Sequence, residues 1–149
     1  MKPCISCETV AGRFQPPDGI LYETEYWIIF LRSRPLLVAG QGFLVLKRHR
    51  ESLAELTSEE LAEIGPLMQK VQLAYDQVLN PDKVHFALYA EDVKHIHFHV
   101  LPRVSSLPAG NIPIVFLSRW YMLLSKLGLR RPFSDKAVEA VALRLKAAI

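Results

Sequence analysis

Apolar and polar positions alternate over several short stretches of this chain and recur at intervals of three and four over one long one. The runs "ILYE" (20–23), "YWIIFL" (26–31) and "GFLVLK" (42–47) are rich in β-branched and aromatic residues, and the turn-like "PPDG" (16–19) precedes them, so three strands are predicted before residue 50. At Thr57 the pattern changes. "TSEE" places Glu60 three residues after Thr57, a capping box in which each side chain satisfies a backbone donor left free at a helix start. Leu61, Ile64, Met68, Val71, Tyr75 and Val78 then form one apolar stripe that runs to "NP" at 80–81. Gly65 and Pro66 interrupt it; an interior proline removes a hydrogen bond at a cost of about 3 kcal/mol, which predicts a bend near residue 62. "VHFALYA" (84–90) and "HIHFHVL" (95–101) read as two further strands joined as a hairpin across the polar "EDVK". "SSLPAGNIP" reads as loop, followed by an apolar segment to about Leu127 and a helix from Ser134 bearing Val138, Val141 and Leu145. The pattern predicts an α+β fold: an antiparallel sheet with a long helix on one face, and a helical extension at the C-terminal end.

Composition narrows the class. With 149 residues, 50% hydrophobic and 22% charged, the chain is expected to form one globular domain over residues 1–149. Its longest apolar segment, "IPIVFLSRWYMLL", is shorter than the roughly 20 residues that span a bilayer and is broken by Arg119. "MKPCISCETV" has no apolar leader core, so the expected location is the cytoplasm. The net charge is +3, and the bases cluster only locally, in "KRHR" (47–50), at Arg32 and Arg34, at Arg103 and in "LRRP" (129–132). That argues against a dedicated nucleic-acid binder, whereas a small anionic ligand needs less. Cys4 and Cys7 form a C-x-x-C pair, which in a reducing compartment points to metal or redox chemistry rather than a structural disulfide.

The segment "KHIHFHVLPR" (94–103) carries His95, His97 and His99 at alternate positions. On a strand these share one side, about 7 Å apart, while Ile96, Phe98 and Val100 point to the other, where the long helix can cover them. Two chemistries suit such a row. Neutral imidazoles can converge on a zinc or copper ion. Alternatively, an imidazole with an ordinary pKa of about 6.5 is mostly unprotonated at neutral pH and can attack phosphorus, its neighbours donating hydrogen bonds to phosphate oxygens. Composition leaves both open.

"HIHFHVLPR" resembles the signature of the histidine-triad superfamily, and "LYETEYWIIFLRSRP", "GQGFLVLKRH" and "ELTSEELAEI" resemble that family's opening hairpin, glycine–strand–Lys-Arg-His segment and central helix, in the same order. The resemblance covers about residues 4–103. It implies a five-stranded nucleotide-binding α+β fold, a homodimer, and hydrolysis or transfer of nucleoside phosphates through a nucleotidyl-histidine. His97 would be the nucleophile and His99 the donor to phosphate oxygens or leaving group, with no metal needed for the chemistry. A subgroup resemblance implies a structural zinc ion on Cys4, Cys7, His49 and His95; a redox pair would instead be expected to open a helix in a βαβ unit. Gln41, Glu91, Asp92 and Arg103 are the candidate substrate-binding residues. Gln41 stands where many members have histidine, Leu46 where proline is usual, Glu91 and Asp92 where Gln-Ser or Gln-Thr is common, and Arg32 and Ser33 near the usual acidic ribose-binding residue. His85 is expected to be structural, Lys47, Arg48 and Arg50 a solvated face, and Trp120 to Leu124 core or dimer contact. The expected substrates are dinucleoside polyphosphates or related nucleoside phosphates; a nucleotidyltransferase or phosphorylase, and a nucleotide-binding protein with little catalysis, are the alternatives.

Overall fold

In a computed structural model the described residues are 3–32, 36–108, 112–129 and 133–149. The elements are α1 (Ile5–Val10), β1 (Ile20–Glu23), β2 (Trp27–Leu31), β3 (Gly42–Leu46), α2 (Ser58–Leu79), β4 (Lys83–Leu88), β5 (His97–Arg103), α3 (Ile114–Lys126) and α4 (Asp135–Ala148). The strands form one sheet in the order β1-β2-β3-β5-β4, antiparallel at every pairing, so the fold is α+β as the pattern predicts.

Alternation along each strand gives the sheet two different sides. Trp27, Ile29, Leu31, Leu44, Leu46, Ile96 and Val100 point to one side, where Leu67, Val71, Ala74, Tyr75 and Val78 of α2 and Val138, Ala142 and Leu145 of α4 close over them. The opposite side carries Ile28, Phe30, Phe43 and Val45 together with His97 and His99, because Val45 pairs with His97 and Phe43 with His99. This side is only partly covered, by α1 and α3. A second apolar cluster of Leu37, Val38, Leu101, Ile114 and Tyr121 holds α3 in place.

The capping box forms as predicted: Glu60 N donates to Thr57 Oγ1 at 3.2 Å and Thr57 N donates to the Glu60 carboxylate at 2.8 Å. Glu60 also accepts two hydrogen bonds of 2.8 Å from Arg48, and its carbonyl accepts the Trp27 indole N–H at 3.1 Å. Arg48, expected on a solvated face, therefore fastens the start of α2 to the segment that follows β3. The helix continues through Gly65 and Pro66 to Leu79. Ala62, whose carbonyl loses its partner at Pro66, is exposed, so water can satisfy it there. Leu61, assigned by spacing to the buried stripe, is 49% exposed; the covered part of the helix begins one turn later.

The bend between β2 and β3 rests on Gly40, whose φ of +103° suits only a residue without Cβ, and an added Cβ would lie 2.7 Å from Leu79 Cδ1. The Gly40 carbonyl accepts the buried Tyr75 hydroxyl at 2.7 Å, which locks this bend to α2. None of the described helices is long and apolar enough to cross a membrane. Replacing Tyr75 with Phe strands that carbonyl, and a loss of about 1–2 kcal/mol is expected in chemical denaturation, with the sheet retained by circular dichroism.

Candidate active site and metal-ligand cluster

Strand β5 begins at His97, two residues later than predicted, and this offset separates the three histidines. His95 lies before the strand and is almost wholly buried, with 1% exposure. Its Nε2–H donates to the Leu46 carbonyl at 2.7 Å, since a carbonyl can only accept. That bond fixes the tautomer and leaves the Nδ1 lone pair facing Cys4 Sγ at 3.5 Å, Cys7 Sγ at 3.4 Å and His49 Nδ1 at 3.1 Å. Cys7 Sγ lies 3.3 Å from His49 Nδ1, and all four ligand atoms fall within 4.8 Å of one another.

Helix α1, too short for its periodicity to show in sequence, brings the two thiols there: Cys4 immediately precedes it and Cys7 lies in its first turn. The pair does open a helix, but that helix leads into an antiparallel sheet rather than a βαβ unit, and two imidazoles complete the corner. Ligand bonds of about 2.3 Å to sulfur and 2.0–2.1 Å to nitrogen give tetrahedral edges of about 3.3–3.8 Å, close to the spacings found, so the four residues fit a metal ion. Burial, then the hydrogen bond and charge of Cys4, push the Cys7 thiol above its ordinary pKa, a cost that a bound cation would reverse. His49 Nε2 points to Glu51 Oε1 at 3.5 Å, an outer carboxylate that orients the ring.

His97 and His99 face the other way, onto the open side of the sheet. His97 Nδ1–H donates to the His95 carbonyl at 2.7 Å, leaving the Nε2 lone pair free. Phe43 contacts both rings edge-on, at centroid distances of 5.6 and 4.9 Å, and Tyr89 stands 5.1 Å from His99. Burial, then the nearby His97 and Arg32, lower the His99 pKa to about 4, so this ring is neutral at pH 7.

Two cavities meet at His97. One of about 330 Å³ is mostly apolar, lined by Ile5, Phe14, Phe30, Phe43 and Val45 among others. The second, of about 920 Å³, runs past His99 between the β4–β5 connection, with Tyr89, Glu91 and Asp92, and helix α3, with Arg119, Met122 and Lys126. Arg32 borders both.

The remaining predicted residues are placed unevenly. Glu91 and Asp92 line the larger cavity at its exposed rim. Gln41 does not: it is buried, accepting the Leu37 N–H at 2.6 Å and donating to Ser118 Oγ at 3.3 Å, and so joins the bend before β3 to α3. Arg103 donates to the carbonyls of Pro108 and Ile112 at 2.9 and 2.5 Å, bracing the connection to α3. His85 was expected to be a satisfied structural residue, yet its buried Nε2 has no hydrogen-bond partner among the described residues, and burial with Arg103 and Lys83 nearby lowers its pKa. Ser33 lies outside the described residues. Helix α3 as a cavity wall was not anticipated; the signal was Arg119 and Lys126 seven residues apart, on one side of a helix otherwise rich in apolar residues.

A sheet carrying a histidine pair above a C-x-x-C/histidine corner defines a histidine-triad fold. Residues 13–106 match the HIT domain, and the chain belongs to that family. It is 31% identical over 105 residues to adenosine 5'-monophosphoramidase hnt1 of Schizosaccharomyces pombe, covering 67% of this chain and 74% of that protein. It is 26% identical over 89 residues to bis(5'-adenosyl)-triphosphatase of Dictyostelium discoideum, covering 56% and 59%. Among solved structures it resembles a Zn-bound histidine triad family protein from Mycobacterium smegmatis, with a TM-score of 0.67, 25% identity, and coverage of 97% of this chain and 91% of that one.

Two outcomes are expected. Metal analysis of protein purified without chelator should find about one equivalent per chain, lost in Cys7→Ser. His99, with a folded pKa of about 4 against an ordinary 6.5, takes up its proton less readily folded than unfolded, so its contribution to stability is whole above about pH 6.5 and declines as pH falls toward about 4. Denaturation midpoints measured across that window should fall less steeply in His99→Gln than in the wild type.

Proposed function

We propose that the protein hydrolyses nucleoside phosphates by passing the nucleotide through a covalent bond to His97 Nε2. The observation that carries this reading is the 2.7 Å hydrogen bond from His97 Nδ1 to the His95 carbonyl, which turns an unprotonated nitrogen into the junction of the two cavities. In the first step Nε2 attacks the α-phosphorus, an N–P bond forms, and the bond from phosphorus to the leaving group breaks, the leaving group taking the electron pair and a proton from water. The imidazolium formed is steadied by its Nδ1–H bond to the carbonyl. Neutral His99 donates one N–H to a phosphate oxygen. Water then attacks the same phosphorus and gives up a proton to the hydroxide left by the first step, the N–P bond breaks with its electron pair returning to Nε2, and a nucleoside monophosphate leaves.

The apolar cavity bordered by Phe14, Phe30 and Phe43 suits a nucleobase, and the larger cleft takes the leaving portion. Glu91 and Asp92 act at the rim of that cleft, while Gln41 and Arg103 act by holding its walls. The metal on Cys4, Cys7, His49 and His95 is zinc in this reading; four protein ligands complete its shell, so its contribution is structural, pinning the residue whose carbonyl orients His97. The names of the relatives, a phosphoramidase and a dinucleoside triphosphatase, and of the Zn-bound neighbour support the substrate class and the metal. Pairing of two copies through an exposed sheet edge, β1 or β4, belongs to the same reading.

Incubation with adenosine 5'-phosphoramidate and diadenosine triphosphate should release adenosine monophosphate, and His97→Ala should lower turnover by at least about a thousandfold. Turnover that survives in His97→Ala would reject the mechanism. Nucleotide binding by the wild type with neither product nor adduct would make it a binding protein. Product that shifts to the diphosphate in proportion to added inorganic phosphate would make it a phosphorylase.

A further inference from the structure

The larger cleft is electrically divided. Arg119 and Lys126 stand on the α3 side, Arg32 borders the cleft at the end of β2, and Glu91 and Asp92 lie on the opposite rim. Seven residues apart on one helix, Arg119 and Lys126 share a side and are separated by about 10 Å along its axis. Among the described residues none of the three cations has a carboxylate within ion-pair distance. Arg32 is the most telling. It is half-buried, its guanidinium contacts Met122 Sδ at 3.1 Å, and burial lowers its pKa. A partly desolvated guanidinium without a counter-charge is costly unless a ligand supplies the anion. His99 cannot share that task at neutral pH because it is uncharged.

We infer that Arg32, Arg119 and Lys126 form a specificity site for the leaving group, selecting a chain of phosphates over a neutral or amine leaving group. The inference rests on the reading of His97 as nucleophile and names the substrate class at the same centre. A phosphate chain extending from the scissile bond past His99 meets the guanidinium of Arg32 and then the two α3 cations. Glu91 and Asp92 repel it from the other rim, so both walls orient the chain in one direction. Arg–phosphate contacts of this kind are charge-assisted and favour oxygen-rich anions over amines. The same acids would attract an amine, so the two leaving-group classes compete for opposite walls.

The test compares kcat/KM for diadenosine tetraphosphate with that for adenosine 5'-phosphoramidate. In the wild type the ratio favours the tetraphosphate and shrinks as salt rises from about 50 to 500 mM. In the double variant Arg119→Ala/Lys126→Ala the ratio falls by about tenfold or more, and Arg119→Lys/Lys126→Arg, which keeps both charges, restores it. A ratio unmoved by the double variant, or one that the charge-keeping variant fails to restore, overturns the inference. If the wild type turns over neither compound, the hydrolase reading fails, and affinities of the full-length His97→Ala protein for adenosine 5'-tetraphosphate and for adenosine monophosphate decide the matter. A preference for the tetraphosphate that disappears when Arg119 and Lys126 are also removed sustains the cationic site; equal affinities sink it.

Discussion

The hydrogen bond between the imidazole of His97 and the carbonyl of His95 ties together most of what the structure can do, because one bond decides which ring nitrogen carries the proton. That carbonyl is itself held in place by its own side chain, whose Nε2–H is bound to Leu46 and whose Nδ1 faces two thiols and a second imidazole. The backbone between the two rings is therefore fixed at both ends. Rotation of His95 would release the orientation of the His97 ring without altering any atom that borders the two cavities. The Cys-His corner and the cavity-facing histidine are thus joined through a main-chain oxygen.

The rest of the fold keeps that junction rigid on one side and open on the other. The buried side of the sheet, with Trp27, Tyr75 and the α2 stripe, packs β3 and β5 into one close-packed core. Arg48 adds a polar link: it lies two residues after β3, sits beside His49, and grips the carboxylate that caps α2. The start of the longest helix is in this way coupled to the metal-ligand corner through consecutive residues. On the open side, Phe43 contacts the rings of His97 and His99 edge-on, and both histidines border the larger cavity.

Most of the architecture can be read from the residues alone, since long periodic segments and turn chemistry carry strong local signals. Strands β1 to β4, the capping box of Thr57 and Glu60, and the C-terminal helix fall close to where pattern puts them. What escaped has physical causes. Helix α1 is six residues long and depends on distant partners rather than on its own periodicity. Leu61 repeats with the stripe but precedes the part of the helix that the sheet covers. His95 alternates with its neighbours in sequence, yet the ladder begins after it, so alternation did not place it beside the other two. Gln41 reads as a polar residue near the site, but its partners, Leu37 and Ser118, are brought together only by tertiary folding. The position of α3 beside the cleft depends on tertiary contacts such as Leu37 and Val38 with Ile114 and Tyr121, which no periodicity encodes.

Helix α3 lies outside the span that matches the family domain and packs through its own small apolar cluster rather than the main core. Its cleft-facing residues, Arg119 and Lys126, can therefore be exchanged at little risk to the folding of the sheet. In such an arrangement sequence drift can reshape one wall of the cleft while the sheet and its histidine pair stay constant.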